Sequence, residues 1–549
     1  MDKRVIYGNG RVYTVDERCP WAQAFCVEGT KFIAVGTEEE VAEKAGADAE
    51  YIDLHRKTVL PGFIDSHIHA VQGCAEVLFK VDLARAQSKE DCLNAVRDFY
   101  EAHPDIDFLE GAGWINTYFD DHGPRKEWLD EIAADIPIVL DSGDHHSIWA
   151  NSAAIRLAGV TKDTVIEGGV LEKDADTGEL SGTFRECAQE PFHAIKPVYS
   201  VDKVKKAVRY LEEMMGQLGL TMVHDPMVEL YTNYYEAYKV MDQAGELKVK
   251  IRGSFMARPE SVDSMLEDYQ TERTAAGAGT RFAANSIKVL VDGVVEGATA
   301  FLKKPYAHRP DYYGEPVWSQ AGLNKLCSWA EHHGFQMHFH VIGDAAVDQM
   351  LTALECSAAE NGQPNIRPIG AHMQIVDKDD YQRLRERQVV VSANPYWFAK
   401  EKGYFYGLEV PFLGEERAEN EYPMRSLAEE AGLVLSSGSD FPVTQPPAPL
   451  LGIQMGVTRC DFRDDAGDPS NVLNAKEALT VEEMIRTFTL DAAYADFAED
   501  ITGSITPGKF ADFVVLDKNI FEVPADTIGQ IPILMTVSEG NVIYDAQAH

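Results

Sequence analysis

Residues 61–70 read PGFIDSHIHA, an apolar run that ends in two histidines separated by one residue. Side chains two positions apart on a β-strand point the same way, so His67 and His69 are placed to bind one metal ion together. A strand end that carries two exposed imidazoles would show the same pattern. The pair alone therefore does not distinguish a metal site from a strand end with two exposed histidines.

Four further side chains that can bind a metal lie in or at the end of other apolar runs. They are Lys288 in SIKVLVDG, His340 in FQMHFH, His372 in PIGAHM and Asp440 in LVLSSGSD. Each alone has a structural interpretation: a lysine paired with an acid, a core histidine with satisfied hydrogen bonds, or an aspartate that caps a helix. Barrel enzymes gather catalytic groups at the carboxyl ends of their strands. Five strand ends with such groups therefore indicate a shared site.

The chemistry of these residues suits a divalent cation. A lysine inside an apolar run is costly as a free ammonium, whereas carboxylation by CO2 would make Lys288 an anionic oxygen ligand able to bridge two metal ions. Asp440 offers a carboxylate that binds metal and carries a proton. Neutral imidazoles suit zinc and its first-row neighbours. The expected cofactor is one or two divalent ions, with zinc favoured.

Apolar strand-like runs alternate with helix-length amphipathic segments from about residue 61, which predicts parallel strands joined by helical crossovers. Eight strands are expected, yet ten runs are present, so one or two belong to insertions. The stretch near residues 160–185 resembles an inserted hairpin or lid. The runs are PGFID, DFLEGAG, IPIVLDSG, LTMVHD, KVKIRGSF, SIKVLVDG, FQMHFHVIG, PIGAHM, VVVSANP and LVLSSGSD.

Both ends of the chain have the pattern of short strands and turns. Neither end alone has enough strands to bury one face of a sheet, so the N-terminal and C-terminal strands are expected to form one domain together. The prediction is a β domain from residues 1–60 and 500–549, with residues 61–499 forming the catalytic barrel.

The composition excludes several classes of protein. The 89 acidic and 50 basic residues give a net charge of -39, which disfavours nucleic acid and anionic lipid as partners. Eight cysteines without a CxxC pair are expected to be reduced thiols. The sequence shows neither a signal-peptide pattern nor a run of eighteen apolar residues. We therefore expect a cytoplasmic protein that acts on a small molecule and does not bind membranes.

Motifs along nearly the whole chain resemble those of the amidohydrolase superfamily, and of its YtcJ-like branch, which includes N-substituted formamide deformylases. The resemblance implies a distorted (β/α)8 TIM barrel with a β-sandwich built from both termini, and a homodimer. Its most branch-specific parts are HFHVIGDAAVD and DHHSIWANSAAI. The other motifs are PGFIDSHIHA, SIKVLVDG, GAHMQIVDKDD, SSGSDFPV and GSITPGKFADFVVLD.

In the family's pattern the metal ligands match His67, His69, Lys288, His340, His372 and Asp440. His338 lies two residues before His340 and faces the same way on a regular strand, so it competes for the ligand role. His340 is favoured because the family's motif places its ligand directly before residues that here read VIGDAAVD. The chain departs from the commoner branch pattern at Ala371, beside His372, and at Asn394, which precedes Pro395. These departures weaken any transfer of a particular substrate.

The function expected from these residues is hydrolysis of a C–N bond by a metal-activated hydroxide, with an N-substituted formamide as the type substrate. Asp440 would move the proton from water to the leaving amine, and His372 or His146 would stabilise the oxyanion. His224 and Asp225 are expected to support the ligands. The predicted substrate contacts are Trp114, His146, Trp149, Asn151, Arg185, Glu186, Asp292, Tyr396 and Trp397.

Two alternatives remain open at this point. An aminohydrolase that releases ammonia from a heterocycle would use the same site. A metal-free relative that serves as a scaffold would be expected to have lost ligands, whereas all six positions here carry competent side chains.

Overall fold

The largest sheet of the protein is a barrel of eight parallel strands. The computed structural model describes residues 3–143, 146–277 and 279–548. Each strand pairs in parallel with the next along the chain and is largely buried, as expected for a sheet covered by helices. The (β/α)8 prediction is confirmed. The strands are β1 (Phe63–Asp65), β2 (Leu220–Val228), β3 (Lys250–Met256), β4 (Phe282–Leu290), β5 (Gln336–Val341), β6 (Ile369–His372), β7 (Val390–Ala393) and β8 (Leu435–Ser437).

The barrel closes between β8 and β1 through residues at and just beyond the ends of both strands. The Ser66 amide donates to the Ser437 carbonyl at 2.9 Å, and the Asp440 amide donates to the His67 carbonyl at 2.7 Å. A Cβ on Gly438 would lie 2.5 Å from the His67 nitrogen, so this close approach requires glycine. Closure therefore brings the histidines after β1 beside the aspartate after β8.

Helices separate the strands of the barrel. In the helix Asp344–Asn361, for example, Val347, Leu351 and Leu354 are buried at helical spacing. Within the described part of the chain, no helix is long and apolar enough to cross a membrane. The main helices are Val201–Gln217, Asn233–Gln243, Val262–Ala276, Gln320–His332, Asp344–Asn361, Tyr381–Glu386, Met424–Glu429, Pro449–Thr458, Val481–Thr487 and Leu490–Ala495. Short helices span Lys402–Tyr404, Val410–Leu413 and Glu415–Ala418.

Strands from both ends of the chain form two sheets that share one apolar core. Phe25 of the first sheet packs on Phe513 of the second, with ring centroids 4.9 Å apart. This agrees with the sandwich in the predicted fold class. The four-stranded sheet has the order Lys31–Gly36, Ala24–Glu28, Arg4–Gly8 and Glu50–Asp53, with the helix Glu38–Ala45. The six-stranded sheet has the order Asn541–Asp545, Ile533–Ser538, Phe513–Leu516, Thr58–Pro61, Arg11–Tyr13 and Trp21–Ala22.

Residues 72–207 form a second compact unit. Its core includes Trp114, Leu129, Leu140 and Trp149. The predicted insertion near residues 160–185 lies within this unit. The sheet has the order Gly169–Lys173, Leu180–Glu186, Ser147–Ala150, Ile138–Ser142, Leu109–Trp114 and Lys80–Asp82. The helices are Ala70–Phe79, which begins two residues before the unit, Lys89–Ala102, Lys126–Asp130, Ser152–Leu157 and Glu190–His193.

The second unit also resolves the surplus of strand-like runs. DFLEGAG and IPIVLDSG overlap the strands Leu109–Trp114 and Ile138–Ser142, which pair with each other inside residues 72–207. Each of the other eight runs overlaps one of the eight barrel strands. Two parallel strands look alike in sequence whichever sheet they join, so their composition gave no means of separating them.

A buried ion pair links β3 to the terminal sheets, and its loss should destabilise the fold. Lys250 Nζ lies 2.9 Å from Asp512 Oδ2, and both side chains are buried. In Lys250→Met the Asp512 carboxylate would stay buried without this partner. We expect the free energy of unfolding to fall by about 3–5 kcal/mol in urea denaturation.

The matched control for this prediction is Lys325→Met. Lys325 pairs with Asp263 at 2.7 Å, but both side chains are more than half exposed. The expected change is below about 1 kcal/mol. Similar small changes in both variants would show that the buried pair adds little to stability.

Candidate metal centre

His67, His69 and Asp440 meet where the barrel closes. His67 Nε2 lies 3.5 Å and His69 Nε2 3.0 Å from Asp440 Oδ1. Neither contact has hydrogen-bond geometry, and this buried oxygen has no hydrogen-bond partner among the described residues. Three potential ligand atoms thus face one another without satisfying one another.

Lys288 contributes a buried amine from β4. Its Nζ has no hydrogen-bond partner in the described part of the chain. Burial lowers the pKa of Lys288 from 10.5 to about 7, and Asp440 opposes this shift only in part. A large fraction of this lysine is therefore a neutral amine at neutral pH.

His372 ends β6 with a defined tautomer. Asn394 Nδ2 donates to the Gly438 carbonyl at 3.1 Å, which turns Asn394 Oδ1 towards His372 Nδ1 at 2.7 Å. An amide oxygen only accepts, so Nδ1 carries the proton and Nε2 keeps a free lone pair. Burial, followed by the charge of His340, lowers the pKa of His372 to about 3. His372 is therefore a neutral imidazole suited to bind a metal through Nε2.

His338 and His340 lie two residues apart on β5 but occupy different environments. His338 Nε2 lies 3.2 Å from His67 Nδ1, and His338 Nδ1 lies 3.4 Å from Ser254 Oγ. Both of its nitrogens are thus engaged. The His340 ring lies 4.7 Å from the ring of His372, and its Nδ1 has no hydrogen-bond partner within the described ranges. This arrangement favours His340 as the ligand and His338 as a support.

The residues present fit a divalent cation. Ligand atoms of His67, His372 and Asp440 all lie within 4.8 Å of one another. Lys288 Nζ, His340 Nδ1 and Asp440 Oδ1 are buried without hydrogen-bond partners among the described residues, which is costly unless something else binds them. Burial holds the pKa of His67 well below its usual range, so its imidazole is neutral as metal binding requires.

A buried hydrogen-bonded chain runs from His67 through the core of the barrel. Beyond His338 it continues from Ser254 Oγ to His224 Nε2 at 2.7 Å, and from His224 Nδ1 to Asp496 Oδ1 at 2.6 Å. These contacts are all satisfied if each group donates to the next, from His67 Nδ1 as the first donor to the Asp496 carboxylate as the last acceptor. His67 Nε2 then carries no proton and is free to bind a metal. His224 thus has contacts that suit its predicted supporting role.

Removing the acceptor beside His67 should weaken metal binding. In His338→Leu the His67 ring loses the partner that fixes its tautomer, and we expect metal affinity to fall about 10–100-fold in chelator competition. His338→Gln keeps an acceptor and should recover much of the affinity. A loss beyond about a thousandfold would instead make His338 itself a ligand.

Asp65 positions the site, although the sequence analysis gave it no role. Its carboxylate accepts from the His67 amide at 3.1 Å and from the Ser439 amide at 3.1 Å. It therefore ties the segment after β1 to the segment after β8. His372 and Asp440 have φ angles of 72° and 57°, which residues other than glycine adopt at a cost and which cluster at functional sites.

Several predicted substrate contacts belong to the core of the second unit. The indole N–H of Trp114 donates to the Leu140 carbonyl, and that of Trp149 donates to the Arg125 carbonyl, both at 2.9 Å. Asn151 caps the helix Ser152–Leu157 through the Ala154 amide. Their burial and satisfied polar groups favour a structural role over the predicted contact with substrate.

The remaining predicted residues of this unit carry accessible charge. His146 Nδ1 lies 3.1 Å from Glu186 Oε2, and both side chains are more than half exposed. Arg185 is half-buried and donates to Glu172 Oε1 at 3.0 Å. Asp144 and His145 of the same motif lie outside the described residues. A substrate role for His146, Arg185 and Glu186 stays a prediction.

Asp292 lies beside the candidate metal centre, and its carboxylate already accepts hydrogen bonds from the backbone. It accepts from the amides of Phe301, Ile342 and Gly343 at 2.9–3.0 Å. Its Oδ1 also lies 3.4 Å from His340 Nδ1. These contacts favour positioning of the segment around His340 over the predicted contact with substrate.

A cavity of about 420 Å³ lies against the metal centre and is lined by His340, His372 and Asp440. Tyr396 and Trp397, both predicted to contact substrate, also line it. The Trp397 ring stacks on His372 at 5.3 Å. The cavity is therefore the natural place for a substrate whose reacting atoms approach the ligands.

Comparison with known proteins identifies relatives along the whole chain. The model of the amidohydrolase family matches residues 50–544. The chain is 30% identical over 547 residues to the putative amidohydrolase YtcJ of Bacillus subtilis (strain 168), covering 99% of both proteins. It is 27% identical to the N-substituted formamide deformylase of Arthrobacter pascens, covering 98% of this chain and 97% of that protein. An uncharacterized metal-dependent hydrolase from Pyrococcus furiosus superposes with a TM-score of 0.74 at 25% identity, covering 94% and 99%.

Proposed function

This chain belongs to the amidohydrolase family, in its YtcJ-like branch, and we propose that it hydrolyses a C–N bond of a small amide. The observation that carries the proposal is the convergence of unpartnered ligand atoms on one side of a cavity that can hold a substrate. The formamide deformylase among its relatives supports an N-substituted formamide as the type substrate.

The proposed ligands are His67, His69, Lys288, His340, His372 and Asp440. A divalent cation held there, for which zinc suits the nitrogen and oxygen donors, would supply an activated water and polarise the scissile carbonyl. The Asp440 carboxylate would accept a proton from the attacking water and deliver it to the leaving nitrogen. Its Oδ1 is free of other donors for this purpose.

His372 fits the role of ligand better than that of oxyanion donor. Its N–H points to Asn394, so the nitrogen that remains carries a lone pair and no proton. Because the pKa of His372 lies far below neutrality, it does not gain a second proton under ordinary conditions. The predicted oxyanion role of His372 is therefore replaced by a role in holding the cation.

Lys288 is proposed to be carboxylated. Its neutral amine attacks CO2, so that a bond forms between Nζ and the carbon while the electron pair of one C=O π bond moves to that oxygen. One N–H proton is then lost to solvent. The resulting carbamate is an anion that two cations can share. Support comes from the burial of Nζ, the lack of a hydrogen-bond partner within the described residues, and the pKa near 7.

The proposed function is tested by product analysis on the zinc-loaded protein. With N-substituted formamides and other N-acyl amines we expect release of formate or the corresponding acid. Removal of metal by a chelator should stop the reaction, and added zinc should restore it. Ammonia released from heterocycles, with no acid from the amides, would make the protein an aminohydrolase. A metal-loaded protein without turnover on either class would contradict the proposal.

A further inference from the structure

The cavity against the metal centre has an acidic lining. Four carboxylates besides Asp440 line it, those of Glu296, Glu401, Glu409 and Asp461. Among the described residues that form its wall, there is no lysine or arginine. The wall is therefore expected to carry a net negative charge.

Two of these carboxylates already have a cationic partner. Arg463 Nε lies 2.8 Å from Asp461 Oδ1, and Arg463 Nη2 lies 3.4 Å from Glu401 Oε1. Neither Glu296 nor Glu409 has an ion pair with a described residue. Glu296 and Glu409 are thus the two acidic side chains of the wall that have no cationic partner among the described residues.

Glu409 belongs to a buried pair of carboxyl groups. Gln374 Nε2 donates to Glu409 Oε1 at 3.2 Å and to Glu421 Oε1 at 2.7 Å. Glu421 is fully buried, and its carboxyl group also lies within hydrogen-bonding reach of that of Glu409, a contact that requires one of the two groups to carry a proton. Arg459 lies close by, but its guanidinium donates to the Leu473 and Glu421 carbonyl oxygens rather than to a carboxylate.

Without a cation nearby, Glu409 mostly holds its proton at neutral pH, whereas a cation in the cavity would favour its carboxylate form. Burial and the neighbouring carboxylates raise the pKa of Glu409 to about 8. Two carboxyl groups that share one amide are costly to ionise together. A cation in the cavity would remove that cost.

Aromatic rings form another part of the wall, beside a few aliphatic side chains. Trp397, Tyr404 and Tyr422 line the cavity, and the Tyr404 hydroxyl bonds to Glu296. The Tyr396 hydroxyl is buried and has no hydrogen-bond partner among the described residues. Faces of tryptophan and tyrosine attract organic cations, and such cages recognise substituted ammonium groups.

We propose that the cavity binds an organic ammonium group, so that the substrate of the metal centre is an amide carrying a second, positively charged nitrogen. This inference rests on the proposed function and narrows its substrate class. An inorganic cation is the weaker occupant, because aromatic rings supply it no ligands and the 420 Å³ volume exceeds what a single ion needs.

The test is calorimetric binding of benzyltrimethylammonium to the full-length, zinc-loaded protein. The quaternary nitrogen has no lone pair, so the probe cannot ligate the metal. We expect it to bind at least about tenfold more tightly than benzyl alcohol, its uncharged counterpart. Neither probe contains an amide bond, so their binding is measured independently of any hydrolysis.

Variants locate the site of binding. We expect Glu409→Gln to lower the affinity for the probe about tenfold and Glu296→Gln to lower it several-fold. The control is Glu416→Gln, at an exposed position of the helix Glu415–Ala418, which should leave the affinity unchanged. Because Glu296 is exposed, its variant tests the proposal even if Glu409→Gln does not fold.

Three results would overturn the inference. They are equal affinity for the charged and uncharged probes, an affinity that neither cavity variant changes, and displacement of the probe by calcium ions that bind more tightly. The proposed function fails separately, through absence of hydrolysis by a protein that still binds the charged probe.

Discussion

Asp440→Asn is expected to lower kcat about 10²–10⁴-fold while leaving the fold intact. Asparagine has the same shape and tolerates the φ of 57° at this position, but its amide cannot accept a proton from water and carries no charge. The buried Oδ1, between His67 and His69, would no longer take the proton from water. Steady-state kinetics would measure the loss, with metal analysis and circular dichroism run in parallel.

Asp500→Asn is the matched control, since Asp500 is exposed beyond the helix Leu490–Ala495. It should retain full activity. If Asp440→Asn were as active as this control, Asp440 would have no part in proton transfer. If the Asp440 variant lost its metal entirely, the side chain would act chiefly as a ligand.

Lys288→Met is expected to abolish most activity without weakening the fold. Methionine cannot form a carbamate, so kcat/KM should fall at least about a hundredfold and metal affinity should fall with it. In the absence of metal, the free energy of unfolding of Lys288→Met should equal or exceed that of the native protein without metal. The reason is that an apolar side chain replaces a buried amine without a partner. Chelator competition and urea denaturation measure the two effects.

Lys250→Met provides the contrast, because there the same substitution removes a paired amine and should destabilise the protein. Direct support for carboxylation would come from incorporation of isotope-labelled CO2 into the native protein but not into Lys288→Met. A Lys288→Met protein with full metal content and full activity would exclude Lys288 from the centre.

The sequence was sufficient to predict the barrel and the candidate ligands, because both depend on local order. PGFID and LVLSS are largely buried runs, and His67 and Asp440 lie two and three positions beyond them, respectively. In a closed parallel barrel all carboxyl ends face one way, so ligands far apart in sequence converge without any long-range information.

Features that depend on packing between distant segments were not predictable. Strand alternation places His338 and His340 on the same face, and only the contacts with His67 and Ser254 distinguish them. The carboxyl pair of Glu409 and Glu421 forms through Gln374, from another part of the barrel. Trp114 and Trp149 show the same limit in another way. The sequence suggested that they contact substrate, but they pack in the hydrophobic core of residues 72–207.

The central claim is that side chains within β4, β5 and β6, and side chains that follow β1 and β8, hold a catalytic divalent cation. Anomalous diffraction from crystals of the active, zinc-loaded protein tests it most directly. The strongest peak should lie about 2.0–2.2 Å from His67 Nε2, His69 Nε2 and an Asp440 oxygen. An active protein whose only anomalous peak lies away from these residues would contradict the claim.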